Sequence, residues 1–149
     1  MKRYSIILIC FLKLSLFFTS VMAIDSQYFI EGKQLYDNKD FDNSKTFFER
    51  DIVFNPKNEK SYLYLAKIFN NNNNDYEQEI NLNTVLVLNP QNEEAIYMLA
   101  LQKIKQSDYD HVKKLLDEFI LVCKSFCSKQ NEIDEKLNKI NPEKEKNND

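Results

Sequence analysis

The chain has 149 residues, with 23 acidic against 20 basic side chains, one Gly, three Pro and no Trp. So few Gly and Pro leave too little turn chemistry for a sandwich or barrel, where every short strand ends in a tight turn. Acids are interspersed with Lys along every segment and the net charge is −3, which argues against nucleic acid, since a phosphate backbone is held by clustered Lys and Arg.

Met1, Lys2 and Arg3 precede an apolar run, Ile6 to Phe18, broken by Lys13 and Ser15 and followed by Thr19-Ser20-Val21-Met22-Ala23. A basic start, an apolar stretch and small residues at Val21 and Ala23 make a secretory signal peptide over residues 1–23, cut after Ala23. The alternative is a retained anchor, through which alone the chain would meet a membrane. Against it, the run falls short of the ~20 residues that span a bilayer core, and Lys13 sits in its middle. Cleavage removes three basic residues and no acid, taking the net charge from −3 to −6. The remainder, Ile24 to Asp149, has the length of one domain with one modest core and a mostly helical composition. No Asn-x-Ser/Thr sequon occurs. That favours a bacterial periplasm, with secretion as the alternative.

Asn55-Pro56 and Asn89-Pro90 lie 34 residues apart, and each precedes a polar helix-opening stretch and then aromatic residues, Tyr62 in one case and Ile96-Tyr97 in the other. A period of that size marks a stacked helical array. Numbering each unit from Asp25, Glu59 and Glu93 puts Gly32, Ala66 and Ala100 at position 8. Large apolar residues fall at the positions around it: Tyr28, Phe41 and Phe48 in the first unit, Tyr62, Leu65, Phe69 and Val85 in the second, Ile96, Leu99, Tyr109, Leu116 and Phe119 in the third. Small residues where two helices cross let their axes approach, and large ones fill the space around them. Glu31, Gln78 and Asp51 break the pattern, and Tyr76 comes one place late, which implies an extra residue in the Asn70–Asn74 turn. After the third unit, Ile133, Leu137 and Ile140 recur at helical spacing and form a capping helix, 128–140. Asn141-Pro142 stops it, and 141–149 is a charged tail expected to be disordered.

From Asp25 to about Val122 this sequence resembles the tetratricopeptide repeat family, and in particular its small exported bacterial members. The resemblance implies an all-α fold of three stacked antiparallel helical hairpins (25–58, 59–92 and 93–126) with the C-terminal cap. It also implies a non-enzymatic interaction module that binds a protein or peptide in a concave groove lined by the first helix of each hairpin. By position, that groove takes Phe29, Lys33 and Tyr36 from the first unit, Lys60, Tyr64, Lys67 and Asn71 from the second, and Tyr97, Met98, Leu101 and Lys105 from the third. Some family members grip a terminal carboxylate with a Lys/Asn/Arg set; the nearest positions here are Phe29, Lys33, Tyr64, Glu94 and Met98, so no such clamp is expected.

No catalytic residue and no cofactor emerge. His111, the sole histidine, has no nucleophile argued near it and should face solvent. Asp37, Asp40 and Asp42 lack the Gly and bidentate Glu of a calcium loop and read as caps and turn residues. Cys123 and Cys127 suggest a disulfide in an exported chain, which requires a bend near Lys124-Ser125 because four residues along an unbroken helix hold the β-carbons too far apart. Reduced thiols packed in the cap, or a redox role, remain open; two thiolates fall short of a structural zinc site. The competing functions are an accessory factor in thiol or cytochrome maturation using these cysteines, and a membrane-anchored structural subunit.

Overall fold

The computed structural model describes residues 25–140, without the side chain of Ile140; the signal peptide and the charged tail expected above lie outside the described residues. Within them the chain is all-helical: α1 (Gln27–Asp37), α2 (Phe41–Phe54), α3 (Glu59–Asn71), α4 (Asp75–Leu88), α5 (Glu93–Lys105), α6 (Tyr109–Val122), a 3-10 turn (Cys127–Lys129) and α7 (Gln130–Ile140). Turns of three residues fold α1 onto α2, α3 onto α4 and α5 onto α6, and each pair then packs on the next. α7 lies against α5 and α6.

The turns repeat in atomic detail. Lys39, Asn73 and Ser107 each take a left-handed conformation, with φ of 63°, 54° and 61°. The next residues, Asp40, Asn74 and Asp108, donate their N–H back to Leu35, Phe69 and Lys103 over the same 2.9 Å. This is the Schellman closure, usually built on Gly. The same three residues then cap the second helices, their side-chain oxygens accepting the N–H of Asn43, Glu77 and His111. Identical turn lengths correct one expectation. The Asn-rich turn holds no extra residue, and Tyr76 is simply exposed, at 74%, on the outer side of α4.

At the crossings Gly32, Ala66 and Ala100 are buried, as are Ser44, Gln78 and Val112 from the partner helices. Gly32 is the tightest. A β-carbon there would meet two Phe48 ring atoms at 3.0 Å and Phe47 Cβ at 3.2 Å. The first pair thus sets the smallest residue against the fully buried Phe48, where the second and third combine Ala with Leu82 or Leu116 at the same positions. Ser44 donates its hydroxyl to the Gly32 carbonyl at 2.8 Å, which satisfies a polar group that burial would otherwise penalise.

Two apolar clusters follow. Phe29, Phe48, Leu65 and Ile68 fill the first. The second runs from Leu63 and Leu82 through Ile96, Ala100 and Phe119 to Ile133, which α7 inserts fully buried. Phe48→Ala should therefore cost about 3–5 kcal/mol, the usual range for a buried Phe. Gly32→Ala adds about 0.5–1 kcal/mol of helix propensity but forces overpacking worth about 1–3 kcal/mol, so it should also destabilise. Urea unfolding followed by circular dichroism checks both, and a stabilised Gly32→Ala protein would refute the close crossing.

Candidate functional site

Side chains from α1, α3 and α5 converge on one surface. Its centre is Tyr64, half-buried, whose ring stacks on Phe48 with centroids 5.0 Å apart and meets Tyr36 edge-on at 5.0 Å. The Lys67 ammonium lies 4.9 Å from the Tyr64 ring centre and pairs with Glu94 of α5 at 2.8 Å. Burial first, then the neighbouring Tyr64 and Glu94, raise the Tyr36 phenol above its ordinary pKa, with Asn71 acting against that rise. Lys33 is exposed at the rim and pairs with Asp37.

The other groove candidates are distributed less evenly. Phe29 is only 4% exposed and belongs to the core, where it meets Phe48 and Tyr64; it offers a partner nothing. Lys60 covers its ring at 5.5 Å and pairs with Asp25. Tyr97 is drawn toward the cap: its hydroxyl donates to Glu132 at 2.7 Å, Phe126 packs on one side, and the Lys129 ammonium sits 5.3 Å from the ring centre. α7 therefore takes up part of the third unit's surface. Met98, Leu101 and Lys105 line a separate cleft beside the turn between α3 and α4. Lys60, Lys67 and Lys105 all pair with acids of a neighbouring helix pair, so the surface is aromatic but close to electrically balanced. Each such exposed pair is worth only ~0–1 kcal/mol.

Two features lie outside the predicted groove: an apolar ridge that sequence reasoning passed over, and Asp51, which it met only as a break in the repeat pattern. Val53, Val87 and Leu121, spaced by 34 residues, are 74%, 81% and 84% exposed and form an apolar ridge along α2, α4 and α6. Their repeat spacing was the available signal. The second feature is Asp51, fully buried. It accepts hydrogen bonds from Ser26 and Ser61 hydroxyls, from Asn55 at 3.0 Å and from Asn58 at 2.7 Å. Burial opposes its charge, yet these four donors outweigh burial and hold its pKa below the ordinary carboxylate value. All four are neutral groups at helix ends, so Asp51 ties the starts of α1 and α3 to the end of α2 rather than serving chemistry.

The later corners use other ties. Asn89 donates to Glu59 at 2.9 Å. At the α6–α7 corner Cys123 and Cys127 lie at disulfide distance, with Cα atoms 5.2 Å apart, across the bend at Lys124–Phe126. Glu93 accepts the N–H groups of Lys124, Ser125 and Phe126 there, and those bonds, Lys124 first, lower its pKa. His111 is exposed and bonds Asp108 through Nδ1 at 2.6 Å. No group of three or more potential metal ligands occurs among the described residues.

Comparison with known proteins adds a fold. No family model matches the chain, and no curated protein matches its sequence. Among solved structures, a chain of a CopN–Scc3 complex matches with a TM-score of 0.61, over 82% of this chain and 79% of that one, at 18% identity. At that identity the likeness is one of architecture, and it agrees with a helical repeat protein.

Asp51 yields a prediction with a defined sign. Its folded pKa is lowered, so its stabilisation is present above the unfolded value of ~3.9 and lost as pH falls through the folded one. Asp51→Asn should cost about 2 kcal/mol at neutral pH, in line with hydrogen bonds to a buried charge. The gap between wild type and variant should narrow as pH falls below the unfolded value of ~3.9 and close once it has passed the lower folded one, as denaturant melts down that acid range will show.

Proposed function

We propose that the chain is a tetratricopeptide-type interaction module that catalyses nothing and holds a segment of another protein, an extended peptide or an amphipathic helix, on the surface of α1, α3 and α5. The observation that carries this reading is the Tyr36–Tyr64–Lys67–Glu94 cluster. It combines rings backed by a rigid core with a charged rim, and rigid Tyr gives contact area at little entropic cost. The 34-residue recurrence of helix ends and turns supports the family reading. The likeness to a chain from a CopN–Scc3 complex supports protein partners. The signal-like start supports work outside the cytoplasm, in a bacterial periplasm or envelope, where a disulfide between Cys123 and Cys127 would persist.

Thiol exchange through Cys123 and Cys127 has weaker support. Glu93 sets a carboxylate inside the loop between them, and a nearby negative charge disfavours the thiolate that exchange needs.

The test is selection of binders from a random-peptide display library, followed by affinity measurement on two variants with unchanged helical circular dichroism. Lys33→Glu with Lys67→Glu should weaken selected peptides at least tenfold. Val53→Asp with Val87→Asp, on the apolar ridge, should leave them unchanged. The opposite pattern would move the function to the ridge.

A further inference from the structure

The outer faces of α2, α4 and α6 differ in chemistry. On α4 the residues along this face, Tyr76, Ile80, Asn83, Thr84 and Val87, carry no charge, and Tyr76, Ile80 and Val87 are exposed although apolar. The helices on either side end in Val53 and Leu121, equally exposed, but are otherwise charged. An apolar centre within a charged rim is the layout of an interface rather than of a free surface.

α6 identifies the partner. Its outer face carries Lys113 and Lys114, then Asp117 and Glu118, all exposed. Lys113 pairs loosely with Asp110, at 3.5 Å, while Lys114, Asp117 and Glu118 enter no ion pair among the described residues. Bases ahead of acids are the weaker order for pairing along one helix, so this pattern does little for α6 alone. A second α6 laid antiparallel on it presents the reverse order: Lys114 faces the partner's Asp117 and Lys113 faces the partner's Glu118, and both contacts occur twice. The two-fold axis that does this crosses α6 between Leu115 and Leu116.

Because the repeats are 34 residues apart, the same axis crosses α4 between Asn81 and Leu82 and α2 between Phe47 and Phe48. On α4 it sets Tyr76 against the partner's Val87. On α2 it brings Asp42, Lys45, Glu49 and Arg50, two of each sign, with Lys45 already paired to Glu49, so this helix leaves the balance unchanged. An axis along α4 would instead set Asp42 against Asp110 and Glu49 against Asp117, like charge against like, which is costly.

We propose that the chain forms a closed two-fold dimer through this face, with α4 against α4 at its centre and the α6 charges fixing the antiparallel order. One patch that is complementary to itself gives a dimer and stops there. The face lies apart from the surface of α1, α3 and α5, so this inference does not depend on the peptide-binding reading.

Sedimentation equilibrium of the whole chain from about 1 µM to about 1 mM, the span of a small interface, should show monomer passing to dimer and nothing larger. Lys113→Glu with Lys114→Glu, and separately Asp117→Lys with Glu118→Lys, should each weaken dimerisation at least tenfold with helical circular dichroism unchanged. Mixed in equal amounts, the two variants should associate at least as tightly as the unaltered chain, since their α6 faces then oppose acid to base throughout. Monomer over the whole range would overturn the proposal and leave the face to a different protein. Oligomers that grow beyond the dimer with concentration would overturn the closed arrangement, and charge variants that dimerise unchanged would place the contact elsewhere.

Discussion

Everything in this fold depends on how closely two helices approach where Gly32, Ala66 and Ala100 sit. No residue in their helices is smaller, and all three are buried. With the axes close, the large residues one and two turns away interdigitate and exclude water, and dispersion and hydrophobic terms accumulate over the whole contact. In the first pair the bargain is most extreme: Gly32 forgoes helix propensity so that the ring of Phe48 can lie against its backbone. That ring in turn backs Tyr64. A surface residue of the proposed binding face, on α3, is thus held in place by the crossing of the two preceding helices.

The second constraint is the corner between pairs, solved in three chemically distinct ways. A buried carboxylate gathers four neutral donors at the first corner, an Asn amide reaches a Glu at the second, and at the third a cysteine pair spans a bend whose N–H groups bond to Glu93. Each solution aims the next first helix, which is why α1, α3 and α5 share a surface. α7 follows the third corner, seals the apolar end with Ile133 and holds Tyr97 through Glu132. The terminal unit accordingly offers less open surface than the central one.

Much of this was legible in the sequence because helical periodicity and a fixed repeat are local, one-dimensional signals. The small residues at position 8, the bend near Lys124-Ser125, the cysteine pairing and the apolar stripe of the cap all follow from spacing and side-chain size. Asp51 looked like a misfit because its burial depends on partners along the chain that the repeat pattern does not show: Ser26 is 25 residues away. Tyr76 misled for a related reason, since an aromatic one place out of register implies an insertion unless the turn geometry is known. Phe29 could be either core or surface at its position, and the stacking of α3 on α1 decides it. That Gln102 Oε1 is buried without a hydrogen-bond partner is a property of three-dimensional bonding with no sequence signature. Function was legible only as a class, because a repeat scaffold presents a surface without naming what binds there.

The most direct test of the account is heat unfolding of an Ala66→Leu protein, followed at the helical circular dichroism band. Leu and Ala are both strong helix formers, so helix propensity alone should leave stability nearly unchanged. Because Ala66 is fully buried at the central crossing, the account predicts that the added carbons cost about 1–3 kcal/mol through overpacking, which appears as a melting temperature lowered by several degrees. A melting temperature equal to or above that of the unaltered protein would contradict the claim that the close approach of paired helices governs this structure.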